Sequence, residues 1–169
     1  MDLEERVAAL ERRLAALEEA GDRRGPAAPA ADGDFWALDG LRARLTEAGA
    51  DAGGVLFTGT VRLPTGQRFD WQDGQTTETL LDHDWSEAAE SFAALGHAVR
   101  LRLLREVLGG RHTAAELAAL DDLGTTGQIY HHLRQLTAAG WLHAAARGRY
   151  EVPPGRVVPL LVALATARP

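Results

Sequence analysis

Three times between Asp84 and Gln128, an Asp or Thr is followed three positions later by Glu or Gln: Asp84-x-x-Glu87, Thr113-x-x-Glu116 and Thr125-x-x-Gln128. At that spacing the two side chains can cap each other's free backbone N–H groups at the start of a helix. Each pair precedes apolar residues at helical intervals, and glycines close the runs at Gly96, Gly109-Gly110, Gly124 and Gly140. This half of the chain therefore reads as a series of short helices. The first runs through Phe92 and Leu95, and the second carries Val99, Leu101, Leu103, Leu104, Val107 and Leu108. A third opens at Thr113 and runs through Leu117 and Leu120, and residues 121–124 turn the chain.

The helix opened by Thr125 places Ile129, Leu133 and Leu136 at i, i+4 and i+7, which turns them to a core. Its other side then presents Thr126, Gln128, Tyr130, His131 and Arg134. With Thr125, these are short polar groups that donate and accept hydrogen bonds, as reading base edges in a major groove requires. Two short helices joined by a tight turn, the second showing its N-terminal residues outward, is helix-turn-helix geometry. Beyond Gly140, two extended runs, Trp141 to Ala145 and Arg149 to Val152, flank Arg147-Gly148 and read as a wing. Arg147 and Arg149 there are suited to phosphates or a neighbouring minor groove.

The front half reads differently. Leu3, Val7, Leu10, Leu14 and Leu17 are spaced 4, 3, 4, 3, predicting a short coiled-coil helix over 1–20 that forms by pairing with a copy of itself or with the rest of the protein. Residues 21–34 have linker composition. Over 35–84 we expect a helix from Phe35 to Ala48, capped by Asp34, followed by a β meander. Its strands lie around Val55–Leu63 and Phe69–Trp71, with a third at Thr77–Leu81 after a turn at Asp73-Gly74. The preceding helix is the nearest cover for that meander, and Trp71 and Trp85 read as anchors of a small core, with an aromatic ligand cage as the alternative. The expected fold class is α+β, mostly α, with a winged helix-turn-helix domain over 85–169.

Net charge is −6, yet it is unevenly spread: residues 1–95 hold 9 Arg against 19 acidic residues, and residues 96–169 hold 9 Arg against 5. The basic excess thus lies where a phosphate backbone would need it. The chain has no cysteine, which excludes disulfides and thiolate metal sites. His131 and His132 are adjacent on a helix and point about 100° apart, a poor arrangement for chelating one ion. One is expected to face DNA and the other the helix packing. Serine is limited to Ser86 and Ser91, neither in a nucleophile elbow, and with no lysine there is no Walker phosphate loop. The reading is of a protein that is not an enzyme, needs no cofactor and has no membrane span. The acidic N-terminus lacks the basic region of a secretory signal, which predicts a cytoplasmic location, nucleoid-associated if the DNA reading holds.

The successive stretches FAALGHAVRLRLLREVL, HTAAELAAL, TTGQIYHHLRQLTAAGWL and RGRYEV resemble the winged-helix regulators of the arsenical-resistance type over residues 90–152. The resemblance implies a homodimer that binds double-stranded DNA at an inverted repeat, as repressor or activator. It also implies that the apolar C-terminal helix, Val157–Ala167, is covered by the second subunit; the heptad spacing makes Leu3–Leu17 a further pairing segment. Metal-sensing members carry cysteines in the helix matching Thr113–Leu120, whereas this chain has none, so a cysteine-based sensor is excluded. The wing is also shorter than usual. Residues 35–81 are where a protein or small apolar effector is expected to bind. The alternative is a winged-helix interaction module that does not read DNA sequence.

Overall fold

The computed structural model describes residues 35–120, 123–145 and 148–167. The heptad segment, the linker and the Asp34 cap lie outside the described residues, as do Asp121, Asp122 and Arg147. Contacts divide the chain into two compact units, Met1–Ala43 and Arg44–Pro169, so residues 44–84 belong with 85–169. Helix α1, Trp36–Ala48, buries none of its residues.

Strands β1, Gly54–Arg62, and β2, Arg68–Thr76, form an antiparallel hairpin with Gly59 opposite Trp71 and Val61 opposite Phe69. Period-two alternation places those four residues and Phe57 on one face. The cover for that face comes from the far end of the sequence, helix α7, Pro154–Thr166. A Cβ on Gly59 would stand 2.7 Å from a methyl of Val158, and one on Gly155 would stand 3.3 Å from the Trp71 ring. At Gly59 strand and helix approach too closely for a Cβ unless Val158 shifts, and at Gly155 a Cβ would press on the Trp71 ring. On the opposite face the Thr60 hydroxyl donates to Asp70, which also accepts from Arg68 Nε at 3.1 Å.

Two expectations for this segment are overturned. Asp73 and Gly74 do not turn the chain but pair with Phe57 and Leu56 in the ladder. Thr77–Leu81 is not a strand; it lies in helix α2, Thr77–Asp82, which begins because the Thr76 hydroxyl accepts from the Thr79 N–H at 3.2 Å. Threonine favours strands by its branching, but the local cap bond wins here. The expected Asp84–Glu87 box does not form either. Asp84 accepts from the Ser86 N–H at 2.9 Å and starts a 3₁₀ turn, Trp85–Ala88, before helix α3, Ala89–Leu95.

Helices α4, Ala98–Leu108, α5, Ala114–Ala118, and α6, Thr126–Ala138, follow as the sequence anticipates, although α5 stops before Leu120. Leu103 and Leu104 of α4, Leu117 of α5, and Ile129, Leu133 and Leu136 of α6 are fully buried together. The second hairpin pairs β3, His143–Ala145, with β4, Arg149–Glu151. It is shorter than expected because Trp141, Leu142 and Val152 leave the ladder and enter the core. Trp141 is the tryptophan that anchors this core, its Nε1 donating to the Ser91 carbonyl at 3.1 Å. Trp71 and Trp85, expected as core anchors, are both exposed, Trp71 with its ring against Gly155.

Helix α7 starts at Pro154, three residues ahead of the expected Val157, and Pro154 suits the first turn, where no N–H partner exists. Val157, Val158 and Leu160 are buried within their own chain. The helix therefore finds much of its cover without a second subunit. The architecture is mixed α+β, mostly helical, with two small antiparallel sheets. No helix among the described residues is long and apolar enough to cross a membrane.

Candidate functional site

The most organised polar surface is the outward side of α6, and its geometry begins at its first residue. The Thr125 hydroxyl accepts from the Gln128 N–H, and Gln128 Oε1 accepts from the Thr125 N–H at 2.8 Å, a complete reciprocal cap. The turn before it depends on Gly124, at φ +95°, where an added Cβ would lie 2.5 Å from Gln128 Oε1. Sequence, cap and turn thus fix where the helix starts and which way it faces. Ile129, Leu133 and Leu136 seat it in the core, while Thr125, Thr126, Gln128, Tyr130, His131 and Arg134 are all exposed.

Arg134 forms no hydrogen bond or ion pair among the described residues. Gln128 is less free than its exposure suggests. Its oxygen is committed to the cap, so only its NH₂ group remains to donate to a partner. Arg100 is also committed, donating to the carbonyls of Ala93 and Ala94 at the end of α3 and to Gln135 Oε1 on α6. It holds α3, α4 and α6 together.

The adjacent histidines separate as expected, one outward and one inward. His131 is exposed, whereas His132 is half-buried, its ring 4.7 Å from that of His97. His97 in turn caps α4, its Nδ1 accepting from the Val99 N–H at 3.2 Å. Burial, then the charges of His97, Arg100 and His131, push the His132 pKa below the ordinary imidazole range. Among the described residues its Nδ1 is buried without a hydrogen-bond partner. Among the described residues, no group of three or more His, Cys, Asp or Glu is placed to hold a metal ion.

The electrostatic setting of α6 rests on a feature the charge totals hide: no Asp or Glu occurs between Leu123 and Tyr150, in a chain with 24 of them. The second hairpin is tied to the start of α5, with Tyr150 N–H donating to His112 O at 2.7 Å and Arg149 bridged to Thr113. Arg147, expected to contact phosphate, lies outside the described residues. Arg149 is exposed on β4, lowers the pKa of Glu116 by its charge, and lines a cleft that no α6 residue enters.

Comparison with models of known protein families finds no match, and comparisons with curated proteins and with solved structures likewise return none.

Proposed function

We propose that α4 to β4 form a winged helix-turn-helix and that the protein is a dimeric regulator of transcription, binding double-stranded DNA through the outward side of α6. The observation that carries this reading is the division of α6. Three aliphatic residues are sunk in the core, six polar or amphipathic residues face solvent, and the surrounding sequence lacks any carboxylate. Carboxylates repel phosphates, and α6 lies in the longest stretch without Asp or Glu in its half of the chain, which begins after Asp121 and Asp122. Arg134 is the residue to read guanine by a bidentate contact, and Gln128, donating only through its NH₂ group, reads an acceptor on a base or phosphate. The resemblance to arsenical-resistance-type regulators over residues 90–152 points the same way, without the cysteines of their metal sensors.

The dimer in this reading uses the part of α7 not already covered by its own chain. Leu161 and Leu164 there flank a shallow apolar groove with Leu101 and Leu108 of α4. Two copies would set their α6 helices roughly 34 Å apart on an inverted repeat. The test is a gel shift with genomic fragments across a salt series. Affinity is expected to fall steeply with salt, and Arg134→Ala to cost about tenfold to a hundredfold. Absence of salt-sensitive binding by the unaltered protein would refute the reading.

A second reading, an interaction module without sequence-specific DNA binding, is favoured by one observation: Leu81, Trp85 and Phe92 are exposed. Stoichiometric capture of a protein partner through these residues, with no DNA affinity, would select it.

A further inference from the structure

Where the turn of the β1–β2 hairpin meets the second hairpin, a cleft of about 370 Å³ opens in the Arg44–Pro169 unit. That volume is at the small end for a ligand site and suits a molecule of amino-acid size. Its floor is apolar, with Leu63 and Phe69 from the first hairpin, Val107 from α4 and Val157 from α7. One wall carries Arg149 and Glu151, alternate residues of β4 and so on the same side of the strand. The two opposite charges do not pair with each other. The Arg149 guanidinium forms no ion pair or side-chain hydrogen bond among the described residues, though its charge reaches Glu116, and Glu151 has His143 at 3.7 Å.

The neighbouring polar groups complete a donor and acceptor set. His112 Nδ1 lies 3.0 Å from the Tyr150 carbonyl, so that nitrogen carries the proton and Nε2 is left as an acceptor. Gln67 Oε1 accepts from the Thr65 hydroxyl at 3.2 Å, which leaves its NH₂ group to donate. Donors on Arg149 and Gln67 and acceptors on Glu151 and His112 thus line one cleft together with Leu63, Phe69, Val107 and Val157. A simple anion would meet the Glu151 carboxylate, and a simple cation would meet the Arg149 guanidinium. A molecule with both charged groups on one carbon and an aliphatic body satisfies the whole set.

We propose that this cleft binds a free aliphatic α-amino acid, its carboxylate on Arg149 and Gln67, its ammonium on Glu151 and His112, and its side chain on the Phe69–Val157 floor. The inference does not depend on the DNA reading, and its test uses no DNA. Calorimetric titration of the full chain with L-leucine is expected to show binding. Two controls each lack one charge: 4-methylpentanoate has no ammonium and 3-methylbutylamine no carboxylate, and both are expected to bind at least tenfold more weakly. Arg149→Met and Glu151→Gln should each lower leucine affinity more than tenfold while leaving the thermal melt in place. The proposal is overturned if leucine does not bind at millimolar concentration, or if either control binds as tightly as leucine. Because the controls use the unaltered chain, the result stands even if a variant fails to fold.

Discussion

Two stretches of this molecule are built from the same local parts and end differently. Residues 76–95 and residues 113–138 are both runs of short helical elements, all opened by Thr or Asp caps except α3, which follows Ala88 without a side-chain cap. In the second stretch, Leu117, Ile129, Leu133 and Leu136 are all fully buried. In the first, Leu81, Trp85 and Phe92 are 64%, 69% and 68% exposed. A cap decides where a helix starts, but burial is decided by whether the apolar residues recur at intervals that meet a partner. Ile129, Leu133 and Leu136 recur at i, i+4 and i+7 on one unbroken helix. Leu81, Trp85 and Phe92 fall on three separate elements and share no helical face. An exposed apolar group of this kind is a candidate contact surface, whereas the capped and buried α6 is a rigid platform for its outward side chains.

The contrast can be broken most severely by removing buried volume. Leu133→Ala should cost about 2–5 kcal/mol, because the cavity adds to the lost transfer energy. Phe92→Ala should stay within about 0.5 kcal/mol, as for an exposed position. Urea unfolding of both variants checks this, and equal losses would mean that Phe92 is covered in solution.

A smaller effect is expected at the cap. Thr125→Ala removes one half of the reciprocal bond with Gln128 and should cost about 1 kcal/mol, with fraying confined to the first turn of α6. Hydrogen exchange at residues 126–129 reads this directly, and unchanged protection there would show that the cap does not hold the helix start.

The smallest effect separates the two complete capping boxes by pH. The Glu116 carboxylate accepts from the Thr113 N–H and hydroxyl and from the His112 N–H, and lies near Arg149. These hold its pKa below the ordinary glutamate range, the Thr113 backbone bond first. A carboxylate depressed in the folded state contributes stability above its unfolded pKa and loses it as pH falls through the folded value. Glu116→Gln should therefore flatten the fall in urea midpoint on the acid side of the ordinary glutamate pKa. The Gln128 box has no proton to take up, so Gln128→Glu should steepen the same fall. The reverse pattern would mean that neither box acts through its side-chain acceptor.

The sequence disclosed most where structure is local. The Thr113 and Thr125 boxes, the extent of α4 and α6, and the inward set Ile129, Leu133 and Leu136 were all readable, because capping and helical periodicity act over a few residues. Thr77–Leu81 was misread because branched threonines and an aliphatic pair look like a strand until the Thr76 cap bond is seen. Long-range pairings were not readable. Nothing near Gly59 announces that Val158 will press on it, and nothing near Arg149 announces a cleft shared with Gln67. The outward face of α6 was legible, but the commitment of Gln128 Oε1 to the cap was only implied by the box that placed it.

In the proposed reading, the outward side of α6 is the surface that meets DNA. The most direct measurement is backbone amide NMR of the chain titrated with a duplex recovered from the gel shift, with shifts mapped by residue. The account predicts changes concentrated from Thr125 to Arg134, with Leu81, Trp85 and Phe92 undisturbed. Changes centred on residues 81–92, with α6 silent, would contradict it.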